Sequence, residues 1–178
     1  MKKLRFLLLD ANVVIQLFEL NLWAVVVEKC EIMLSRIVID QEARFFRKQP
    51  DGSEQPIDLS EDIAAGRIQP FDVTPTQVGI FVGQFTDEYL AKLDPGETES
   101  LCYISICTDP CVVCSADAIV FRVLGCLNRS ELGISLEEVL NQIGRSARLP
   151  YQYSKDYRIQ FTKQGQMEQI QGRALKSD

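Results

Sequence analysis

The 178-residue chain contains no histidine. This absence excludes the Ser–His and Cys–His pairs that activate nucleophiles, and it removes the nitrogen ligands that zinc most often uses. Any catalysis must therefore depend on carboxylates, lysine, tyrosine or cysteine. Because ligand sets made only of oxygen suit Mg²⁺ or Mn²⁺, the acidic residues become the first candidates for chemistry.

Long hydrophobic runs are also missing. No stretch reaches the roughly 18 apolar residues that a membrane span needs. The first nine residues, basic and then apolar, are similar to the start of a secretion signal. However, Asp10 and Asn12 interrupt the run and no small-residue cleavage site follows. We therefore expect a cytoplasmic protein whose first apolar segment is a buried strand.

The six cysteines do not have the distribution of a disulfide scaffold. Four of them crowd one short apolar stretch rather than loop-rich sequence: Cys102, Cys107, Cys111 and Cys114. The spacing of the last three is faintly similar to a zinc site, but valines lie between them and histidine is absent. We expect reduced, buried thiols, because free cysteine commonly behaves as a small buried hydrophobe.

Charge is distributed unevenly along the chain. The formal net charge is −6, yet residues 145–178 carry seven basic and three acidic side chains, which leaves −10 on the first 144 residues. The basic tail also contains aromatic residues. An acidic body with a basic tail favours an anionic partner for the tail.

Short apolar strands alternate with helical segments. Strands are predicted at 4–9, 37–39 and 111–114. Helices are predicted over about 13–18, 22–30, 40–48, 74–93, 94–107, 116–126 and 135–143. The segment 49–72 is rich in proline and glycine and is predicted to be loop with one short helix after Ser60. The repeated strand-then-helix order predicts an α/β fold, with a parallel sheet covered by helices on both faces.

Acidic residues follow each predicted strand. Asp10 comes directly after the first strand, Glu42 shortly after the second, and Asp117 three residues after the third. Ligands of parallel α/β sheets bind beyond the carboxyl ends of the strands, so the three acids would converge if those strands are neighbours. Each acid alone could equally be a helix cap or a solvated helix residue. It is their coincidence at strand ends that favours a site.

A fourth acid is expected from the helix that Asp94 begins. Glu97 lies three residues after Asp94, where a capping box places a glutamate that bonds back to the backbone. Glu99 is about 200° further around the helix, so the two cannot face one point. Because Glu97 already has a structural role, we favour Glu99 as the ligand.

Four segments resemble motifs of the PIN-domain family. Residues 7–15 resemble its opening motif, in which an aspartate ends the first strand and a small polar residue follows two places later. Residues 37–42 resemble the second acidic motif, and residues 94–99 resemble the Gly-Glu-x-Glu helix start of one branch of the family. Residues 114–117 resemble its Thr/Ser-x-Asp motif. The motifs occur in the family's order within residues 4–125.

The resemblance implies a Rossmann-like sheet and an acidic pocket that binds Mg²⁺ or Mn²⁺ and, in active members, hydrolyses RNA phosphodiester bonds. The residues that it assigns as catalytic and metal-binding are Asp10, Glu42, Glu99 and Asp117. Supporting residues are Asn12 and Ser115, which would hydrogen-bond a water or a carboxylate, and Glu97. The predicted domain organisation is a PIN-like α/β domain at 1–144 and a basic, aromatic C-terminal extension at 145–178 that either packs on the domain or trails it.

The predicted function is therefore a metal-dependent ribonuclease, in one form the toxin of a toxin–antitoxin pair. The expected partners are RNA, an antitoxin or other protein, and a second copy of the chain in a homodimer, with no membrane. Basic residues that could reach a phosphate are Arg44, Arg47, Lys48 and Arg122. No further acid closely follows Asp117, so the choice between one and two metals stays open. The alternative is a catalytically silent PIN-like module that binds a protein or RNA through its tail.

Overall fold

The computed structural model describes residues 4–108 and 110–176. Its strands are β1 (Leu4–Leu9), β2 (Cys30–Ser35), β3 (Phe45–Lys48), β4 (Ser53–Pro56), β5 (Ile68–Phe71), β6 (Val112–Cys114) and β7 (Gly133–Ile134). Within these described residues, five strands form a parallel sheet in the order β5-β2-β1-β6-β7, and β3 and β4 form a separate antiparallel hairpin.

Helices connect the parallel strands. They are α1 (Ala11–Glu19), α2 (Trp23–Lys29), α3 (Ser60–Ala64), α4 (Pro75–Gly83), α5 (Asp87–Leu90), α6 (Pro95–Ile106), α7 (Ala118–Cys126), α8 (Leu136–Gln142) and α9 (Lys155–Ile170). A π-helical turn spans Val38–Glu42, and short 3₁₀ turns span Ser130–Leu132 and Tyr151–Tyr153. Capping boxes begin α4 at Thr74, α6 at Asp94 and α8 at Ser135, as the sequence predicts.

The sheet separates two hydrophobic cores. Successive residues of a strand point to opposite faces, and the neighbours Leu8 and Leu9 accordingly belong to different clusters, as do Met33 and Leu34. Buried residues of α1, α2 and α8 complete the core on one face, and those of α6 and α7 complete the core on the other. The predicted α/β fold, a parallel sheet with helices on both faces, is confirmed.

The predicted second strand at 37–39 is wrong. The strand is β2, which ends at Ser35, and residues 38–42 form the π-helical turn. The Ser35 hydroxyl accepts a hydrogen bond from the Val38 amide (3.1 Å) and so begins the turn. The predicted helix at 40–48 is wrong for the same reason, because the chain leaves the turn directly into β3.

Two other segments differ in detail. The helix predicted over 74–93 is divided into α4 and α5, and the buried Phe85 lies in the break between them. The segment 49–72 contains β4 and β5 as well as the expected short helix, α3. These strands are four residues long, which gives little periodic signal in the sequence.

The C-terminal segment packs on the sheet domain through α9, which lies against α7. The helices approach closely at Gly125 and Gly165, where an added Cβ would collide with the backbone of the facing helix. Arg122 of α7 forms an ion pair with Glu168 of α9 (2.9 Å) and lies over the Tyr89 ring. Residues after 144 therefore contribute to the packed structure.

Among the described residues, no single helix is long and apolar enough to cross a membrane. Helices α1 and α2 meet that test only as a pair, by length and composition, and the pair is bent by 118°. The six cysteines all belong to the described residues and form no disulfide; all but Cys107 are buried.

Candidate active site

Asp10 and Ser115 lie at the carboxyl ends of the neighbouring strands β1 and β6. The Asp10 amide donates to the Cys114 carbonyl (3.0 Å), which extends the pairing of the two strands by one residue. The Ser115 hydroxyl donates to Asp10 Oδ2 (3.0 Å) and accepts from the Asp117 amide (2.9 Å). One buried hydroxyl thus fixes both the Asp10 carboxylate and the backbone that carries Asp117.

Asp117 is the N-cap of α7. Its Oδ1 accepts from the Ile119 amide (3.0 Å), the capping bond expected at the start of a helix. The cap orients the side chain at the same sheet edge as Asp10. Asp117 therefore caps α7 and also lies near the other acids.

The start of α6 contributes Asp94 and Glu97. Asp94 Oδ1 accepts from the Glu97 amide (2.7 Å), and Glu97 Oε2 accepts from the Asp94 amide (3.1 Å). Glu97 is only 3% exposed, and its second oxygen, Oε1, has no hydrogen-bond partner among the described residues. The capping box therefore uses one oxygen of Glu97 and leaves the other available.

Glu42 reaches the same place from the π-helical turn. Its Oε1 accepts from the Gly96 amide (3.1 Å) in the first turn of α6. A side chain at position 96 would collide with this carboxylate. An alanine at position 96 would therefore displace the Glu42 carboxylate, whose contact with Gly96 joins the second and third acidic motifs.

Glu99 points to another side of α6. Its Oε1 accepts from the Val73 amide (3.3 Å), and the side chain is 6% exposed. Its charge acts on Glu42, whereas the charge of Glu97 is close to those of Asp10, Asp94 and Asp117. The preference for Glu99 over Glu97 as a metal ligand stays a prediction. The premise that capping occupies Glu97 does not hold for its Oε1.

The electrostatics of the cluster are those of like charges brought together. Burial is the main reason that the pKa of Asp10 is raised to about 7; the hydrogen bond from Ser115 acts to lower this pKa, and the charges of Asp94 and Glu42 act to raise it. Burial, then the charges of Asp94, Asp10 and Asp117, raise the pKa of Glu97 to about 9. The pKa values of Glu42 and Asp94 are also raised, first by burial and then by neighbouring acids. Full deprotonation of the cluster is therefore disfavoured first by burial and then by repulsion between the acids.

Several carboxylate oxygens of the cluster lack a partner. Among the described residues, the buried side-chain oxygens without a hydrogen bond are Asp10 Oδ1, Glu42 Oε2, Glu97 Oε1 and Glu99 Oε2. Buried polar atoms rarely lack a partner in folded proteins. Carboxylate oxygens of this kind are the ligands that Mg²⁺ and Mn²⁺ prefer, so the chemistry of the donor set fits a divalent cation.

The geometry of the acidic side chains is less favourable for a metal ion than their chemistry is. In the described part of the chain, no three acidic or cysteine side chains stand, as placed, in an arrangement that could hold one metal ion. The acids reach the cluster on separate elements: Asp10 from β1, Glu42 from the turn, Glu97 from α6 and Asp117 from α7. Binding of one ion by three of them would therefore require their carboxylates to draw together.

Sequence reasoning missed three residues near the acids. Asp94 appeared only as a helix cap, yet its charge acts on Asp10, Glu42 and Glu97. Two tyrosines come from the C-terminal segment. The Tyr153 hydroxyl donates to the carbonyl of Asn12 (3.2 Å), and the pKa of Tyr153 is raised to about 12, first by burial and then by Asp10.

Tyr157 is the second of these tyrosines. Its pKa is raised by burial and then by the charge of Asp117. The closely spaced tyrosines of the tail and the capping serine Ser154 were the signal in the sequence, but periodicity alone could not say which face of the sheet they would cover. Asn12 itself is exposed and meets the tail through its carbonyl.

The four basic residues expected near a phosphate differ in their exposure to solvent. Arg122 is almost fully buried and donates to both oxygens of Glu168 (2.9 and 3.0 Å), so its guanidinium is already occupied. The others, all exposed on the segment that includes β3, are Arg44, Arg47 and Lys48.

Comparison of the chain with protein-family models, with curated proteins and with solved structures gives no match. The resemblance to the PIN-domain family therefore stays a prediction based on the four motifs. Because a fold alone does not define an activity, the acidic cluster is the basis for a functional proposal.

Proposed function

We propose that the protein is a metal-dependent ribonuclease that hydrolyses RNA phosphodiester bonds with Mg²⁺ or Mn²⁺ among the acids beside β1 and β6. The observation that supports this most strongly is the set of buried carboxylate oxygens without a hydrogen bond. Their charged neighbours are other carboxylates. Buried like charges are unfavourable unless protons or a cation neutralise them, and a divalent cation would do so while creating a reactive centre.

The proposed ligands are drawn from Asp10, Glu42, Glu97 and Asp117. Glu97 replaces the Glu99 favoured from the sequence, because Glu97 has a buried oxygen without a partner and the charges of Asp10 and Asp117 act on it. The chain orients these acids through its own hydrogen bonds. Ser115 holds Asp10, the Gly96 amide holds Glu42, and the Asp94 amide holds Glu97. A bound divalent cation would lower the pKa of a water molecule and offset the negative charge of the phosphate.

Calorimetric titration with Mn²⁺ tests the metal site directly. We expect the wild type to bind, and both Asp10→Asn and Glu97→Gln to weaken binding at least about tenfold. Glu61→Gln, an exposed acid of α3 outside the cluster, is the control and should leave the affinity unchanged. A wild type without Mn²⁺ binding, or an Asp10→Asn variant that binds as tightly as the wild type, would contradict the site.

Cleavage of RNA tests the activity. A mixed-sequence RNA oligonucleotide should be cut in the presence of Mn²⁺ or Mg²⁺, and EDTA or Asp10→Asn should abolish cutting. Glu61→Gln should retain it. If Mn²⁺ binds at Asp10 but no RNA is cut, the metal site stands and the nuclease assignment fails.

The alternative, a module that binds a partner without catalysis, is favoured by one surface observation. On α9, Met167 is 58% exposed and Ile170 is 86% exposed, so the last turns of this helix present apolar side chains to solvent. Deletion of the tail would damage the core under α9, so the sharper variant is Ile170→Lys. If the wild type dimerises in sedimentation experiments and Ile170→Lys is monomeric, α9 is a homodimer interface.

A further inference from the structure

A cleft of about 520 Å³ opens beside the acidic cluster, between α4 and the start of α6. Its volume is in the range of pockets that bind small ligands. Its walls are mostly apolar: Val73, Pro75 and Val78 come from α4 and the residues before it, and Leu93 and Pro95 come from the start of α6 and the residues before it. Asp94 belongs both to the cleft and to the acidic cluster, so the two are continuous.

Glu99 is the polar group in this wall that lacks a full set of partners. Its side chain is more than nine-tenths buried and lines the cleft. Oε1 accepts one hydrogen bond, from Val73, and within the described residues Oε2 accepts none. An unsatisfied acceptor in a mostly apolar cleft, which Asp94 and Thr98 also line, predicts a ligand that brings hydrogen-bond donors to that point.

The chemistry of the walls and of Glu99 narrows the ligand. Apolar side chains contributed by two helices suit a flat ring, and a carboxylate suits two adjacent N–H donors. Guanine has such an edge, formed by N1–H and the 2-amino group. Adenine and cytosine place an acceptor nitrogen beside the amino group, and uracil has a single N–H between two carbonyls. Guanine is therefore the RNA base that matches the cleft.

We propose that this cleft binds a guanine base, whose ring packs against Val73, Val78 and Leu93 and whose N1–H and amino group donate to Glu99. The identification of that base as part of an RNA substrate rests on the proposed nuclease function. It deepens that function, because a base held beside Asp94 would place the adjoining phosphate next to the acids and make cleavage selective for guanine.

Nucleosides test the cleft without metal or cleavage. Guanosine and inosine differ only in the 2-amino group, so titrations of the full-length protein in EDTA, followed by NMR, isolate one donor. We expect guanosine to bind the wild type more tightly than inosine does, and adenosine, cytidine and uridine to bind still more weakly. Glu99→Gln should lower the guanosine affinity about tenfold, because it replaces a charged acceptor.

Two glycines of α4 supply a matched pair of blocking variants. Gly79 lines the cleft and Gly83 does not, and a Cβ at either position meets nothing within 4 Å. Gly79→Phe should fill the cleft and abolish guanosine binding, whereas Gly83→Phe should leave it unchanged. Thermal melts of both variants establish that each is folded.

The possible outcomes distinguish a failure of the guanine site from a failure of the nuclease function. Guanosine binding that Gly79→Phe abolishes and Asp10→Asn retains supports the cleft, even if no RNA is cut. Equal affinity for all nucleosides, or no binding at millimolar guanosine, overturns the guanine assignment while leaving the metal site intact. If Glu99→Gln loses Mn²⁺ binding but keeps guanosine binding, Glu99 is a metal ligand and its role in the cleft is wrong.

Discussion

Single hydrogen bonds determine where the acids of the cluster point. Ser115 is fully buried and uses its one hydroxyl twice, as a donor to Asp10 and as an acceptor from the Asp117 amide. Asp10 follows β1 and Asp117 begins α7, so the Ser115 hydroxyl joins two separate elements. The residues beside the proposed ligands therefore matter for geometry even though they carry no charge.

Ser115→Ala should weaken both the fold and the metal site. The substitution leaves the Asp117 amide without its acceptor and Asp10 without its donor, which should lower the free energy of unfolding by about 1–3 kcal/mol and the Mn²⁺ affinity about tenfold. Urea unfolding and calorimetry measure the two effects. Within the described residues, the Ser105 hydroxyl bonds only the carbonyl of Cys102 in its own helix, so Ser105→Ala should leave Mn²⁺ binding unchanged. Equal Mn²⁺ affinities in both variants would contradict a positioning role for Ser115.

The local signals of the sequence located some elements and missed others. Capping residues and proline at the first helical position were enough to place the start of α6, because those interactions lie within a few residues. The β-branched run at 37–39 favoured a strand by propensity, but packing of Val38 against the core and the bond from its amide to Ser35 produce a turn. Propensity is a weak guide when tertiary contacts compete with it.

The same contrast between local signals and long-range contacts determines how much of the candidate site could be predicted. Asp10 and Asp117 could be predicted because each directly follows or caps an element that the sequence identifies. The contact of Glu42 with Gly96, the charge of Asp94 and the approach of Tyr153 could not, since they join segments far apart in the chain. Sequence alone does not say which loops meet.

The first turn of α6 provides a test at the scale of an element. Alanine normally favours a helix over glycine by about 0.5–1 kcal/mol. Gly96→Ala should lose most of this gain, because its Cβ would displace the Glu42 carboxylate and remove its hydrogen bond with the Gly96 amide, which costs about 0.5–1.5 kcal/mol. Gly79→Ala, in α4 with open space around it, should stabilise the protein. Denaturant unfolding compares the two variants, and a Gly96→Ala variant stabilised as much as Gly79→Ala would contradict the contact of Glu42 with α6.

At the scale of the whole molecule, the C-terminal segment packs on the rest of the structure. Helix α9 packs on α7, Tyr153 reaches the backbone beside Asp10, and Glu168 bonds residues of two other helices. The charge pattern of the tail predicted an anionic partner, but some of those charges are used internally: Arg158 pairs with Glu138 (2.7 Å). Of the two predicted placements of the C-terminal segment, packed on the domain or trailing it, the structure shows the first, and the segment contacts the candidate site.

Glu168 joins α9 to α5 and α7. It accepts hydrogen bonds from Tyr89 and Arg122, and from Gln164 of its own helix. Burial acts to raise the pKa of Glu168, but these bonds outweigh it and hold the pKa below its ordinary value of 4.5. Since the folded protein then binds fewer protons than the unfolded chain, the contribution of Glu168 to stability is full above about pH 4.5 and is lost as the pH falls through the folded pKa.

Glu168→Gln should therefore destabilise the protein most at neutral pH. The variant leaves the buried Arg122 charge without an anionic partner, which should cost about 3 kcal/mol at pH 7. The difference from the wild type should shrink on acidification, because protonation removes the same charge from the wild type. Glu88→Gln is the control: its ion pair with Lys92 is exposed, so it should change stability by less than about 0.5 kcal/mol. Urea unfolding at pH 7 and pH 3 measures both variants, and a Glu168→Gln deficit that is equal at the two values would show that the ionised carboxylate does not hold α9 in place.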